Sequence, residues 1–118
     1  PTGGHAVFID AAGMLPNIPR DHFPGWALTV GLYREGGIRS VEIGGVMFGK
    51  KDKDGKSHFP PMELVRLAIP RRVYTESHFK FVAGIFKEIA ANKNKIRGLK
   101  ITYEPEFLRH FTAEFEEL

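Results

Sequence analysis

The stretch from Glu63 to Asn92 changes period at a proline. "ELVRLAIP" (63–70) alternates by two, with Val65, Leu67 and Ile69 on one side and Leu64, Arg66 and Ala68 on the other. This is the pattern of a strand with two unlike faces. Beyond Pro70, Thr75 is suited to cap a helix, Glu76 puts an acid in its first turn, and Phe79, Val82, Phe86 and Ile89 recur near a helical repeat. A helix over about 76–92 is expected. A strand and an amphipathic helix on one short chain must bury their apolar sides in layers, which points to an α+β fold.

The remaining segments extend that reading. "GHAVFIDA" (4–11) is β-branched and aromatic at its centre and reads as a short strand. "MLPNIPRDHFPG" (14–25) is broken three times by proline and is expected to be a connecting loop at the surface. From Phe23 to Arg34, Trp26 or Ala27, Val30 and Tyr33 lie about one turn apart, with Pro24 suited to a first turn and Gly36-Gly37 to a stop, so a second helix is expected. "IRSVEIGGVMFG" (38–49) and the Asp-Gly turn signal in "KKDKDGK" (50–56) read as a hairpin leading into residues 63–70. "LKITYE" (99–104) and "LRHFTAEFEE" (108–117) both alternate, with Pro105 between them, and read as two closing strands. The expected whole is one domain: a small, mainly antiparallel sheet covered on one face by the 76–92 helix.

Composition closes off several function classes. The chain has 118 residues and no cysteine, which excludes disulfides, thiolate nucleophiles and cysteine-based zinc sites and makes a reducing cytoplasm the expected setting. No apolar run approaches the roughly 18 residues of a membrane span. "PTGGHAVFID" has neither an initiator methionine nor a signal peptide, and the chain is expected to be cut from something larger. The net charge of +3 comes from 17 bases interleaved with 14 acids, so nucleic-acid binding is not implied by charge alone.

Arg66 is the odd residue of its strand. On the face away from the helix, next to the small Ala68, a planar guanidinium has room to meet a carboxylate or phosphate through two parallel hydrogen bonds. A structural ion pair, or an edge-strand arginine reaching water, explains the same residue without a ligand. His110 is equally open: alternation groups it with Leu108 and Thr112, and it could move a proton, donate to a substrate or satisfy a backbone carbonyl. The five histidines show no HxH or HExxH spacing, so no metal site is expected. The pairs Gly3-Gly4, Gly36-Gly37 and Gly44-Gly45 lack the frame of a phosphate loop and read as turns and a bulge. No GxSxG elbow surrounds Ser40, Ser57 or Ser77, and the Lys50–Lys56 run, interleaved with Asp52 and Asp54, reads as a solvated hairpin tip.

Five segments, in order and with similar separations, carry a resemblance: "GGHAVFIDA", "LYREGGIRSVEIGGVMFG", "ELVRLAIPRRVYT", "IRGLKITYEP" and "LRHFTAEFEEL". Together they closely resemble the C-terminal part of the tryptophanases, pyridoxal-phosphate-dependent β-eliminating lyases, over about the last quarter of that family's chain. The related tyrosine phenol-lyases carry methionine and arginine where this sequence has Val41 and Ile43, and phenylalanine where it has His110. All three residues here are of the tryptophanase type. Val41 and Ile43, two apart on a strand, would form an apolar wall suited to indole.

The resemblance implies that Arg66 holds the substrate's α-carboxylate, that His110 is the active-site histidine near the indole, and that Phe111 helps to close the pocket. It implies cleavage of L-tryptophan with water to indole, pyruvate and ammonia. It also implies the C-terminal part of the small domain of a fold type I enzyme. Pyridoxal phosphate, its Schiff-base lysine, most of a monovalent-cation (K+) site and most contacts of a homotetramer would then lie upstream of Pro1, leaving this chain inactive alone. The competing expectations are an autonomous module binding an anion or nucleic acid, and a purely structural subunit-contact piece.

Overall fold

The computed structural model describes residues 4–118; Gly3, expected to be half of a turn, lies outside them. Three strands form the main sheet: β1 (Ala6–Asp10), β2 (Val41–Ile43) and β5 (Leu64–Ala68), with β5 in the middle and both neighbours antiparallel to it. A short ribbon of β3 (Lys50–Lys51) and β4 (Ser57–His58) connects β2 to β5 and turns at Gly55, where φ is 79°. A third antiparallel pair joins β6 (Leu99–Tyr103) and β7 (Glu114–Glu117), with an irregularity between Ile101 and Tyr103. The class expected from the sequence, α+β with small antiparallel sheets and helices on one side, is the one observed.

The helices are α1 (Ala11–Met14), α2 (Pro24–Gly36), α3 (Gly45–Phe48), α4 (Glu76–Ala91) and α5 (Arg109–Thr112). Helix α2 starts with Pro24 in its first turn and stops at Gly37, whose φ of 63° lets its N–H reach back to the carbonyls of Leu32 and Tyr33. Its buried stripe is Ala27, Leu28, Gly31 and Leu32; Tyr33, expected on that stripe, is exposed. Helix α4 begins at Thr75 with the expected cap, His78 closing a capping box by accepting the Thr75 N–H. Ile85 and Ile89 are its buried residues, while Phe79 stands exposed beside Tyr74.

The helix packed most closely on the sheet is α2, against β2 and β5, and α4 lies in turn along α2. The expectation that the 76–92 helix covers the sheet directly is corrected accordingly. One apolar cluster runs through all of this, including Leu15, Leu28, Leu32, Val65, Leu67, Ile85, Ile89 and Leu99. The proline-rich connector is not wholly at the surface, because Leu15, Ile18 and Phe23 point inward and are buried. Burial of these side chains, each worth about 1.5–3 kcal/mol, outweighs the lack of regular hydrogen bonding in the segment. No helix of the described residues is long and apolar enough to cross a membrane.

Two segments depart further from expectation. After Ile43 the chain leaves the sheet and forms one helical turn, α3, instead of extending the hairpin to Gly49. Residues 108–117 are not one strand: Leu108 takes φ 53°, residues 109–112 form α5, and only Glu114–Glu117 pair with β6. The grouping of His110 with Leu108 and Thr112 on one strand face therefore does not hold. Both departures have their cause in side chains that reach across the fold.

Candidate functional site

Antiparallel register sets out the face of the sheet away from α2. Arg66 on β5 is opposite Phe8 on β1 and Val41 on β2, and Leu64 is opposite Asp10 and Ile43. Cross-strand partners share a face, so Phe8, Arg66 and Val41 form one row and Asp10, Leu64 and Ile43 the next. Arg66 is half-buried between two exposed apolar side chains, Phe8 and Val41. Among the described residues its guanidinium has no carboxylate within ion-pair reach and no hydrogen bond to protein. It is not on an edge strand either, since β5 is central. Neither explanation that dispenses with a ligand accounts for this cation.

On the reverse face the same strands carry two acids. Glu42, opposite Val65, is 2% exposed, and Glu63, just before β5, is fully buried. Their carboxylates take the backbone N–H groups that begin α3: Gly45 N–H donates to both oxygens of Glu63 at 3.0 and 3.1 Å, and Val46 and Met47 donate to Glu42 at 3.0 Å each. These donors explain why the chain turns at Gly44, because a sheet partner would have to compete for them. Arg20 closes the group, its Nη2 lying 3.2 Å from Glu63 Oε2 and donating to the Pro60 carbonyl at 2.6 Å. Burial pushes the Glu42 carboxyl from the ordinary 4.5 to about 7; the N–H groups of Val46 and Met47 oppose that rise, and the charge of Glu63 and a hydrogen bond to it add to it.

Gly44 is required by space. Its backbone is extended at φ −161°, but a Cβ there would stand 2.6 Å from Glu63 Oε1 and 2.8 Å from Glu42 Oε1. Gly44→Ala is expected to cost about 1–3 kcal/mol through overpacking against these two carboxylates. A thermal midpoint unchanged from wild type would show that the acids can move aside without loss.

His110 and Phe111 stand on α5. Their rings lie 4.2 Å apart between centroids; His110 is half-buried, and Phe111 is 73% exposed. The residue before them, Arg109, places α5. Its Nε donates to the Val46 carbonyl at 2.7 Å, one Nη donates to the Gly45 carbonyl, and the other meets Glu104 at 2.9 Å. The structure thus brings Arg66, Val41 and Ile43 together by register and ties His110 and Phe111 to the end of β2 through α3. No hydrogen bond or ion pair joins Arg66 to His110 among the described residues. Two clefts, of about 380 and 560 Å³, lie elsewhere: one between α2, the end of α4 and β6, the other between the β3–β4 ribbon, β6 and Arg109.

Glu42, Glu63, Arg20 and Arg109 were not singled out from the sequence. One signal was present for Glu42: if Val41 and Ile43 face outward, the residue between them must face the core. The described residues do not form a site for pyridoxal phosphate. Every lysine of the described chain is exposed, and the Gly45 N–H is already taken by Glu63. Among the described residues no group of three or more histidines or acids is placed to hold a metal ion.

No family model matches the chain. It is similar to curated proteins named tryptophanase from Hyphomonas neptunium (55% identical over 118 residues), Rhodobacter capsulatus (52% over 118) and Escherichia coli (50% over 116). The match takes in 100% of this chain for the first two and 98% for the third, and 25–26% of each relative. The chain therefore spans about a quarter of the length of the curated relatives it matches. Identity of half or more over 98–100% of its length places this chain in the tryptophanase family, where it corresponds to the C-terminal part of the members.

Proposed function

We propose that this chain is the C-terminal small-domain part of an enzyme that cleaves L-tryptophan with water to indole, pyruvate and ammonia, and that it supplies the substrate-side residues of the site. The observation that carries the reading is Arg66: a half-buried guanidinium on the central strand, without a partner among the described residues, beside an apolar wall. In this role Arg66 holds the α-carboxylate through two parallel hydrogen bonds and so fixes the orientation of the substrate's α-carbon. Val41 and Ile43 face the indole, His110 supplies a hydrogen bond near it, and Phe111 covers the pocket mouth. The openness of the Arg66 face fits a pocket completed by other parts of the protein. Pyridoxal phosphate, a monovalent cation, the contacts of a homotetramer and a cytoplasmic setting belong to that whole.

Kinetics of the full-length protein test the reading. Release of indole from tryptophan, with kcat/KM exceeding that for tyrosine by about 10–200-fold or more, is the expected outcome for an apolar wall without a polar partner for a phenol. Faster turnover of tyrosine would refute it. The 118-residue chain by itself, with every lysine of its described part exposed, is expected to show no turnover when mixed with pyridoxal phosphate. Indole release by that mixture would contradict the division of roles.

A further inference from the structure

We propose that Arg109 is a positioning residue of this site: it clamps α5 to α3 and so holds His110 in a fixed relation to Val41 and Ile43. The inference rests on the reading that His110 faces the substrate. Its basis is geometric. Helix α3 is a single turn of four residues, too short to persist alone, and it is held from both ends. Its first N–H groups are taken by Glu42 and Glu63, and the carbonyls of Gly45 and Val46 are taken by Arg109. The Val46 carbonyl faces this guanidinium where a longer helix would supply its next N–H.

All three nitrogens of the Arg109 guanidinium are engaged, two on α3 and the third on Glu104, and its side chain is only 16% exposed. That separates it from Arg66. With a donor of every nitrogen turned to protein and little of the side chain open to solvent, its effect on chemistry passes through what it holds. What it holds directly is its own successor, His110, on one side and the turn that ends β2 on the other. The clearance is also built in, because a Cβ on Gly49 would come within 2.6 Å of the Arg109 Nη2. A lysine could satisfy one of these acceptors but not reproduce the fork.

The test uses the full-length protein with Arg109→Met, Arg109→Lys and Glu104→Gln, each also in a His110→Phe background. Three quantities are measured: kcat and KM for tryptophan, the inhibition constant of L-alanine, and the rate at which diethyl pyrocarbonate modifies His110 in the His110-containing proteins. Alanine keeps the carboxylate but has no indole. Arg109→Met is expected to lower kcat about 100-fold, as a displacement near 1 Å does, while alanine binding stays within about twofold. In the His110→Phe background the same change is expected to cost under about threefold, the non-additivity of residues acting as one unit. His110 modification is expected to quicken by about fivefold or more as its anchor is lost. Glu104→Gln, which takes the charge out of this contact and of the one to Lys51 and leaves no cavity, is expected to shift every readout less and in the same direction, and it carries the test if Arg109→Met does not fold. Equal losses in both backgrounds, or unchanged His110 reactivity, would overturn the proposal. Quickened modification with unaltered turnover would uphold the clamp and remove His110 from the substrate pocket.

Discussion

Arg66→Ala in the full-length protein is expected to lower kcat/KM for tryptophan by about 10²- to 10³-fold, the cost of leaving a substrate carboxylate in a closed site without its cation. Both constants should move, since the contact that binds the carboxylate also orients the bond to be broken. Arg66→Lys keeps the charge but not the fork and is expected to fall between wild type and alanine. Stability is the discriminating control. Arg66 has no intramolecular partner among the described residues, so its removal should change the unfolding free energy by no more than about 0.5 kcal/mol. An Arg66→Ala protein with wild-type kcat/KM would end the assignment, and one that unfolds at much lower denaturant would point to a structural partner instead.

The buried acids are expected to give the largest change in stability. Glu63→Leu leaves the Gly45 N–H and the Arg20 guanidinium without their acceptor in the interior, at a cost of about 3–5 kcal/mol. Glu42 behaves differently, because its carboxyl titrates near 7 in the folded chain and near 4.5 when unfolded. Between those values the folded state holds the extra proton, so stability is fully present below about pH 4.5 and falls as pH rises through about 7. At about 1.36 kcal/mol per pH unit the loss is on the order of 3 kcal/mol. The groups facing Glu42 are Glu63, the N–H groups of Val46 and Met47 and, beyond Glu63, the Arg20 guanidinium. Urea midpoints measured from pH 5 to 8 should therefore decline in wild type and flatten in Glu42→Gln. A slope that survives Glu42→Gln would place the titrating group elsewhere.

What could be read from the sequence divides by the range of the interactions responsible. β1, α2, β5, α4 and β6 follow from local period and punctuation: Pro24 and Gly37 bound one helix, Thr75 starts another, and the alternation of residues 64–69 sends Arg66 outward. The class of the fold and the unusual residue of its central strand were both legible at that level. α3 and α5 were not, because each is set by partners far along the chain. Arg109 lies 63 and 64 residues from the carbonyls it holds, and Glu63 lies 18 from the N–H it accepts. Residues 108–117 alternate apolar and polar well enough to imitate a strand, and only the clamp by Arg109 shows why half of them turn. Glu42 was not singled out, although its neighbours Val41 and Ile43, read as a wall on one strand face, required it to point to the other. Which helix covers the sheet was likewise not decidable from periodicity, since α2 and α4 each carry an apolar stripe.

The central place of β5 has a consequence for how this chain folds as well as for what it binds. Because β5 pairs on both sides, a slip of its register by one residue would turn Arg66 into the apolar layer and Val65 out of it. Sinking another guanidinium there would cost several kcal/mol, since beside Leu28, Leu32 and Leu67 the buried acids of that face, Glu42 and Glu63, are already engaged by the N–H groups of α3 and by Arg20. The same residue thus acts as a proofreader during assembly, rejecting the misaligned sheet before any substrate arrives.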